Sequence, residues 1–164
     1  MADVANSKLL QQVEGIQQVQ DALVVLVKTE WNATVVDELE RGALAVLKQY
    51  GIAAKTLVVP GAVEIPFAIQ RCWAKSQQKP AAFIALGCVV RGGTPHFEYV
   101  CQTVTDGVTH LNLNLPVPVI YGVLTVNTDE QARERIGGIH GHKGEEAAIT
   151  ALKMMVLNEA LNDE

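Results

Sequence analysis

The sequence predicts an α/β fold in three layers, α/β/α, on a sheet of four parallel strands. The main reason is that four short aliphatic runs alternate with segments of helical spacing along the chain, the pattern of strands joined by crossover helices. Length and composition agree. With 164 residues, 49% hydrophobic side chains and no Ser/Gly/Pro-rich linker, residues 1–164 are expected to form one domain. No internal period suggests a solenoid instead.

The elements follow in order. The first twenty residues are polar and Gln-rich, and either add an edge strand or form a loose arm. Residues 22–28 read as the first strand. Val36, Leu39, Ala43, Leu47 and Tyr50 then recur at helical spacing until Gly51 stops the helix. Residues 56–59 form the second strand, Pro60-Gly61 turns the chain, and residues 64–75 form a helix with Pro66 in its tolerant first turn. The third strand, 82–90, runs into a glycine-rich loop and a helix over 97–113. The fourth, 117–126, precedes a short helix over 129–135. Gly137, Gly138, Gly141 and Gly144 break the chain before a last helix over 145–161.

The net charge of −5 comes without a basic stripe, which argues against nucleic acid or an anionic membrane as partner. Small molecules and other subunits are the expected partners. The N-terminus lacks the cationic start and apolar core of an export signal, and the apolar runs are too short to cross a bilayer. Cys72, Cys88 and Cys101 are an odd number without framework spacing, as expected of reduced thiols in the cytoplasm.

In open parallel sheets, ligands bind beyond the carboxyl ends of the strands. Trp31-Asn32, Ala62-Val63-Glu64 and the segment from Cys88 to His96 all follow strand ends, so three segments converge on one rim. The last contains Gly92-Gly93-Thr94-Pro95-His96, where backbone N–H groups can cradle an anion and an imidazole can move protons beside it. The same Gly-Gly-Thr-Pro is also ordinary turn chemistry.

Four ordered motifs carry a resemblance. They are Pro60-Gly61-Ala62-Val63-Glu64-Ile65-Pro66, the loop region over 86–100, the run over 118–125 followed by Glu130-Gln131-Ala132-Arg133-Glu134-Arg135, and His142-Lys143-Gly144 with Glu146. Together, over about residues 24–161, the chain resembles the 6,7-dimethyl-8-ribityllumazine synthase family. The resemblance implies a flavodoxin-like sheet and a condensation of 5-amino-6-(D-ribitylamino)uracil with 3,4-dihydroxy-2-butanone 4-phosphate, without metal, nucleotide or redox cofactor. It also implies a site shared between neighbours in a ring-shaped homopentamer. The short connection over 137–144 would let twelve pentamers close into a shell.

Carried over residue by residue, Trp31 would stack on the pyrimidine, although an indole there also serves as a hydrophobic plug. Asn32 would orient a polar ligand atom or cap the following helix. Ala62 and Val63 would line the ring and Glu64 would bind ribityl hydroxyls, unless Glu64 only faces the helix dipole. Cys88, Val89 and Val90 would offer backbone groups to the pyrimidine edge. The Cys88 thiol reads as a small buried hydrophobe rather than a nucleophile. Gly93, Thr94 and Arg135 would hold the phosphate, Arg135 being otherwise a solvated helix end. His96 would act as general acid and base; out of context it is a surface side chain. Lys143 and Glu146 match charged site positions or are solvated charges, and Tyr121 reaches the neighbour's ligand or faces the interior.

The chain departs from the family where Glu30 replaces an arginine, Trp31 a phenylalanine and Val63 a bulkier aromatic. His96, Cys101, His110, His140 and His142 lack metal-site spacing, and no metal is expected. Two rival readings remain. A binding scaffold without chemistry would use Trp31 but has little need of Thr94, His96 and Arg135 together. A flavin electron carrier would need glycine in Lys28-Thr29-Glu30-Trp31, which has none.

Overall fold

The computed structural model describes residues 7–162. Four parallel strands, β1 (Leu23–Thr29), β2 (Ala53–Val59), β3 (Ala82–Val90) and β4 (Val119–Val126), form one sheet in the order β2-β1-β3-β4. The crossovers are α1 (Ala33–Gln49), α2 (Ile65–Lys75) and α3 (His96–Asn114). After β4 come α4 (Asp129–Arg133), a small hairpin of β5 (Ile136–Gly138) and β6 (Gly141–His142), and α5 (Lys143–Asn162). The expected three-layer, flavodoxin-like architecture is present.

The layers follow from alternation along the strands, because successive side chains point to opposite faces. Val24, Leu26, Ile84 and Leu86 join one core under α1 and α5. Val25, Val27, Phe83 and Ala85 join the other, with Ile65 and Ile69 of α2 and Val104, Val108 and Leu111 of α3. Strands β1 and β3 are therefore apolar on both faces, as two covered faces require.

Several boundaries differ from those expected. β2 starts at Ala53 rather than 56, because Ala53, Ala54 and Lys55 pair with Leu23, Val24 and Val25 although all three are exposed. An edge strand tolerates such side chains, and aliphatic content alone misses them. β4 starts at Val119 rather than 117. Pro116 and Pro118 have no N–H to give, and the Asn112 side chain instead grips Val119, accepting from its N at 2.9 Å and donating to its O at 2.7 Å. α1 ends as its sequence suggests: Gly51, at φ 71°, lets the Ile52 N–H reach Leu47 O at 2.9 Å, a Schellman closure.

Residues 137–144, expected only as a glycine break, contribute to the β5–β6 hairpin, whose register is irregular between Ile136 and Gly138. Gly137 (φ 109°) and Gly141 (φ 76°) take its left-handed positions. α4 stops at Arg133, two residues early, and α5 begins at Lys143, two residues before 145. The described part of the first twenty residues forms turns and a 3-10 helix, Ile16–Val19, with no strand. It lies along α5, burying Val13 and Val19, and Lys153 Nζ donates to Leu9 O at 2.6 Å. Residues 1–6 lie outside the described residues.

Candidate functional site

The chain reverses direction across the sheet between β1 and β3: α1 carries it outward to β2, and α2 returns it past β1 to β3. A crevice at the carboxyl ends opens at such a switch point. β1 pairs with β3 only as far as Lys28↔Leu86, whereas β3 runs on beside β4 to Val90↔Val126. The last four residues of β3 thus have no β1 partner on that side.

Asn32 closes this gap. It sits at the N-cap of α1 in the left-handed conformation, φ 56°, without a side-chain cap bond. Its Nδ2 instead donates to Cys88 O at 2.8 Å, tying the end of β1 to the end of β3. Backbone groups alternate sides along a strand. Cys88 and Val90 therefore address the β1 side, while Val89 and Arg91 turn toward β4, where the Arg91 N–H donates to Val126 O at 2.9 Å. Burial pushes the Cys88 thiol up to about 11, so it is protonated at neutral pH and a poor nucleophile.

Trp31 is 74% exposed, which rules out the hydrophobic plug within this chain. Its N–H donates to Pro60 O at 3.3 Å and its carbonyl accepts from Thr29 Oγ1 at 3.2 Å, so the backbone is held while the indole stays free. Gly61 explains how Trp31 and Glu64 share a rim. A Cβ on Gly61 would lie 3.0 Å from Glu64 Oε2 and 3.4 Å from Trp31 Cδ1. Ala62–Glu64 form one 3-10 turn in which Ala62 is buried and Val63 exposed. Glu64 makes no side-chain cap bond to α2.

Beyond β3 the chain from Arg91 to His96 is exposed. Arg91, Gly92, Gly93, Thr94, Pro95 and Glu98 line a shallow depression of about 330 Å³. A Cβ at Gly92 or Gly93 would meet nothing within 4 Å, so the space above the loop is open. His96 is the first residue of α3.

A second cluster lies elsewhere. Tyr121, Lys143 and Glu146 line a groove of about 460 Å³ between the free edge of β4 and α5. Lys143 is 6% and Glu146 9% exposed, and Lys143 Nζ donates to both Glu146 carboxylate oxygens at 2.8 Å. They are therefore a buried pair, not solvated helix-end charges. Tyr121 is 39% exposed rather than interior, and its hydroxyl lies 3.1 Å from Thr105 Oγ1. Burial chiefly raises its phenol. Arg135 follows α4; its Nη1 donates to Gln131 O at 2.7 Å, and its own carbonyl accepts from the Lys143 N–H at 2.9 Å.

The two clusters do not meet within one chain. Tyr121 registers with Ala85, five residues short of Val90, which is roughly 16 Å along a strand. Strand β3 also separates β4 from β1. Trp31, Asn32, Glu64, Cys88 and the loop to His96 gather at one end of the sheet; Tyr121, Lys143 and Glu146 gather along its side. Arg135 is absent from the residues lining the glycine-loop depression. Sequence reasoning misses Arg91, whose side chain spans the base of that loop; a lone arginine before a glycine pair is the available signal.

Comparison with known proteins identifies the family. Residues 21–159 match the model of the 6,7-dimethyl-8-ribityllumazine synthase family. The chain is 47% identical to a 6,7-dimethyl-8-ribityllumazine synthase of Porphyromonas gingivalis over 137 residues, covering 82% of this chain and 84% of that protein. It is 45% identical to one of Parabacteroides distasonis, covering 79% and 82%. It is 43% identical to one of Bdellovibrio bacteriovorus, covering 84% and 76%.

Proposed function

Because the chain belongs to the 6,7-dimethyl-8-ribityllumazine synthase family and makes the lumazine by condensation, we propose which of its residues carry that reaction. The enzyme joins 5-amino-6-(D-ribitylamino)uracil to 3,4-dihydroxy-2-butanone 4-phosphate in the penultimate step of riboflavin biosynthesis, releasing phosphate and water. The observation that supports the site best is the crevice between β1 and β3. There the exposed Trp31 indole and the Glu64 carboxylate both come close to Gly61, and Asn32 ties the end of β1 to the Cys88 carbonyl.

In this reading Trp31 stacks on the pyrimidine, with Ala62 and Val63 along the ring and Glu64 on the ribityl hydroxyls. Asn32 orients the ligand edge by fixing the Cys88 carbonyl. Cys88 and Val90 offer backbone groups on the open side, with Val89 between them. Gly93, Thr94 and Arg135 hold the butanone phosphate. The uracil amine attacks the butanone carbonyl and loses water to give an imine. Phosphate is then eliminated, the new carbonyl is attacked by the ribitylamino nitrogen, and a second dehydration closes the ring. Holding two substrates in one geometry supplies most of the acceleration. His96 shuttles protons and contributes a factor of about 10² to 10⁴.

Tyr121, Arg135, Lys143 and Glu146 serve a neighbour's crevice in a homopentamer, Arg135 reaching the phosphate held by the neighbour's Gly93 and Thr94, which accounts for two clusters that one chain keeps apart. The compact glycine-rich connection over 137–144 is short enough to suit closure of twelve pentamers into a shell. The whole chain acts as one domain, and its free thiols suit the cytoplasm. The deciding experiment mixes the purified protein with both substrates and follows lumazine absorbance and fluorescence. The wild type should make product, whereas a Thr94→Ala/Arg135→Ala variant should need far more butanone phosphate. Equal turnover by the two proteins at low butanone phosphate would remove the phosphate assignment.

A further inference from the structure

Arg91 touches every element that bounds the glycine loop. Its Nε donates to Asn127 Oδ1 at 2.8 Å, on the turn that follows β4. Its Nη1 pairs with Glu98 in the first turn of α3, and its guanidinium lies over the Phe97 ring, 4.2 Å from the centroid. Its own N–H donates to Val126 O. One planar group therefore spans from the end of β4 to the start of α3, on either side of Gly92, Gly93, Thr94, Pro95 and His96.

Those five residues have little else to shape them. Gly92 and Gly93 would not bring even a Cβ against a neighbour, and the segment is exposed throughout. A fork that donates to two acceptors in fixed directions while stacking on a ring is chemistry that lysine cannot reproduce. Arg91 is 42% and Glu98 53% exposed, and an exposed pair of this kind adds little stability. Its value lies in geometry.

We infer that Arg91 is a positioning residue for the condensation: it sets the shape of the Gly92–His96 loop and thereby the places of Thr94 and His96. The inference rests on the reading of that loop as the phosphate-binding and proton-transfer segment. Misplacement of reacting groups by about 1 Å costs up to about 100-fold in rate, so a loop without packing of its own needs such a clamp. The partners of Arg91 are Asn127, Glu98, Phe97 and Val126, none of them among the residues assigned to the pyrimidine.

The test is a double-mutant cycle on the full chain with Arg91→Met, His96→Ala and the double variant. It reads kcat, KM for butanone phosphate and the Kd of the ribitylaminouracil. Arg91→Met should lower kcat by about 10- to 100-fold and raise KM for butanone phosphate, with the Kd of the uracil and the melting temperature nearly unchanged. In the His96→Ala background the same change should cost no more than about twofold in kcat. Arg91→Lys, which keeps the charge over Phe97 but not the fork, should fall between. Asn127→Ala, which removes one anchor from outside the loop, should reproduce the non-additivity in weaker form. Multiplicative losses, a KM effect with kcat unchanged in both backgrounds, or a parallel fall in uracil affinity would each overturn the inference. Full kcat in His96→Ala alone would overturn the reading of the loop beneath it, which is a separate failure visible in the single variant.

Discussion

An indole left 74% exposed at a strand end keeps apolar surface in water that a flat ligand can cover, at about 25 cal/mol per Å². Trp31→Ala is therefore expected to weaken pyrimidine and flavin binding by about tenfold or more, and Trp31→Phe to recover most of the loss, because an aromatic face remains. Fluorescence titration of the variants checks this; unchanged affinity in the alanine variant would leave Trp31 without a role in binding. Arg135→Ala tests the opposite end of the ligand pair. It removes a charge-assisted contact worth about 1.5 to 3 kcal/mol, so KM for butanone phosphate should rise while the Kd of the uracil stays put. The identities of these side chains are legible in sequence because aromatic, guanidinium and imidazole groups announce their chemistry. Asn32 is not. Residue type suggests a cap or a ligand contact, whereas its positive φ turns the amide across the sheet to Cys88 O, a long-range partner that no local pattern encodes.

Where α5 meets α1 and the hairpin, the chain is held by tight steric and polar fits. His142 lies at the N-cap of α5. Its Nδ1 accepts from the Glu145 N–H at 3.4 Å and its Nε2 lies 3.3 Å from Glu38 Oε1, so the hydrogen bonds assign the proton to Nε2. A Cβ on Gly42 would come within 2.2 Å of His142 Cε1, and one on Gly144 within 2.0 Å of Leu39 O. Gly144→Ala should thus destabilise the protein by about 1 to 3 kcal/mol through overpacking. Gly92→Ala, with open space around it, should stay within about 0.5 kcal/mol; denaturant midpoints compare the two. The same junction titrates. Arg41 first, and His142 after it, hold the Glu38 carboxyl down to about 2 from a usual 4.5. A carboxyl depressed on folding contributes stability above its unfolded pKa and loses it as pH falls toward the folded one. Wild-type stability should fall between about pH 4.5 and 2 more steeply than that of Glu38→Gln, a difference measurable by urea unfolding at stepped pH. The sequence shows the glycines here only as a break, because a three-residue strand has no periodicity to detect and its pairing depends on Gly137 and Gly141 adopting positive φ.

The alternation of aliphatic runs and helical segments is enough to read three layers, because two covered faces force apolar strands and amphipathic helices whatever the strand order. Order, and with it the position of the crevice, comes only from pairing: β1 and β3 lie in the middle and β4 at an edge. That edge placement separates Trp31 and His96 from Tyr121, Lys143 and Glu146, so a complete site needs a second subunit if both groups act on one ligand. A head-to-tail interface of this kind would place different surfaces of two copies together, and forms a ring when its rotation closes. Complementation measures this directly. His96→Ala and Arg135→Ala would damage opposite halves of each shared site, since Arg135 adjoins Lys143 through its carbonyl. Unfolding the two variants together and refolding them as a mixture should give rings in which about a quarter of the interfaces pair an intact His96 with an intact Arg135. Activity should rise to roughly that fraction of the wild-type value, far above either variant refolded alone. A mixture no more active than the mean of its parents would mean that each chain builds its site by itself, and an active monomer in light scattering would mean the same.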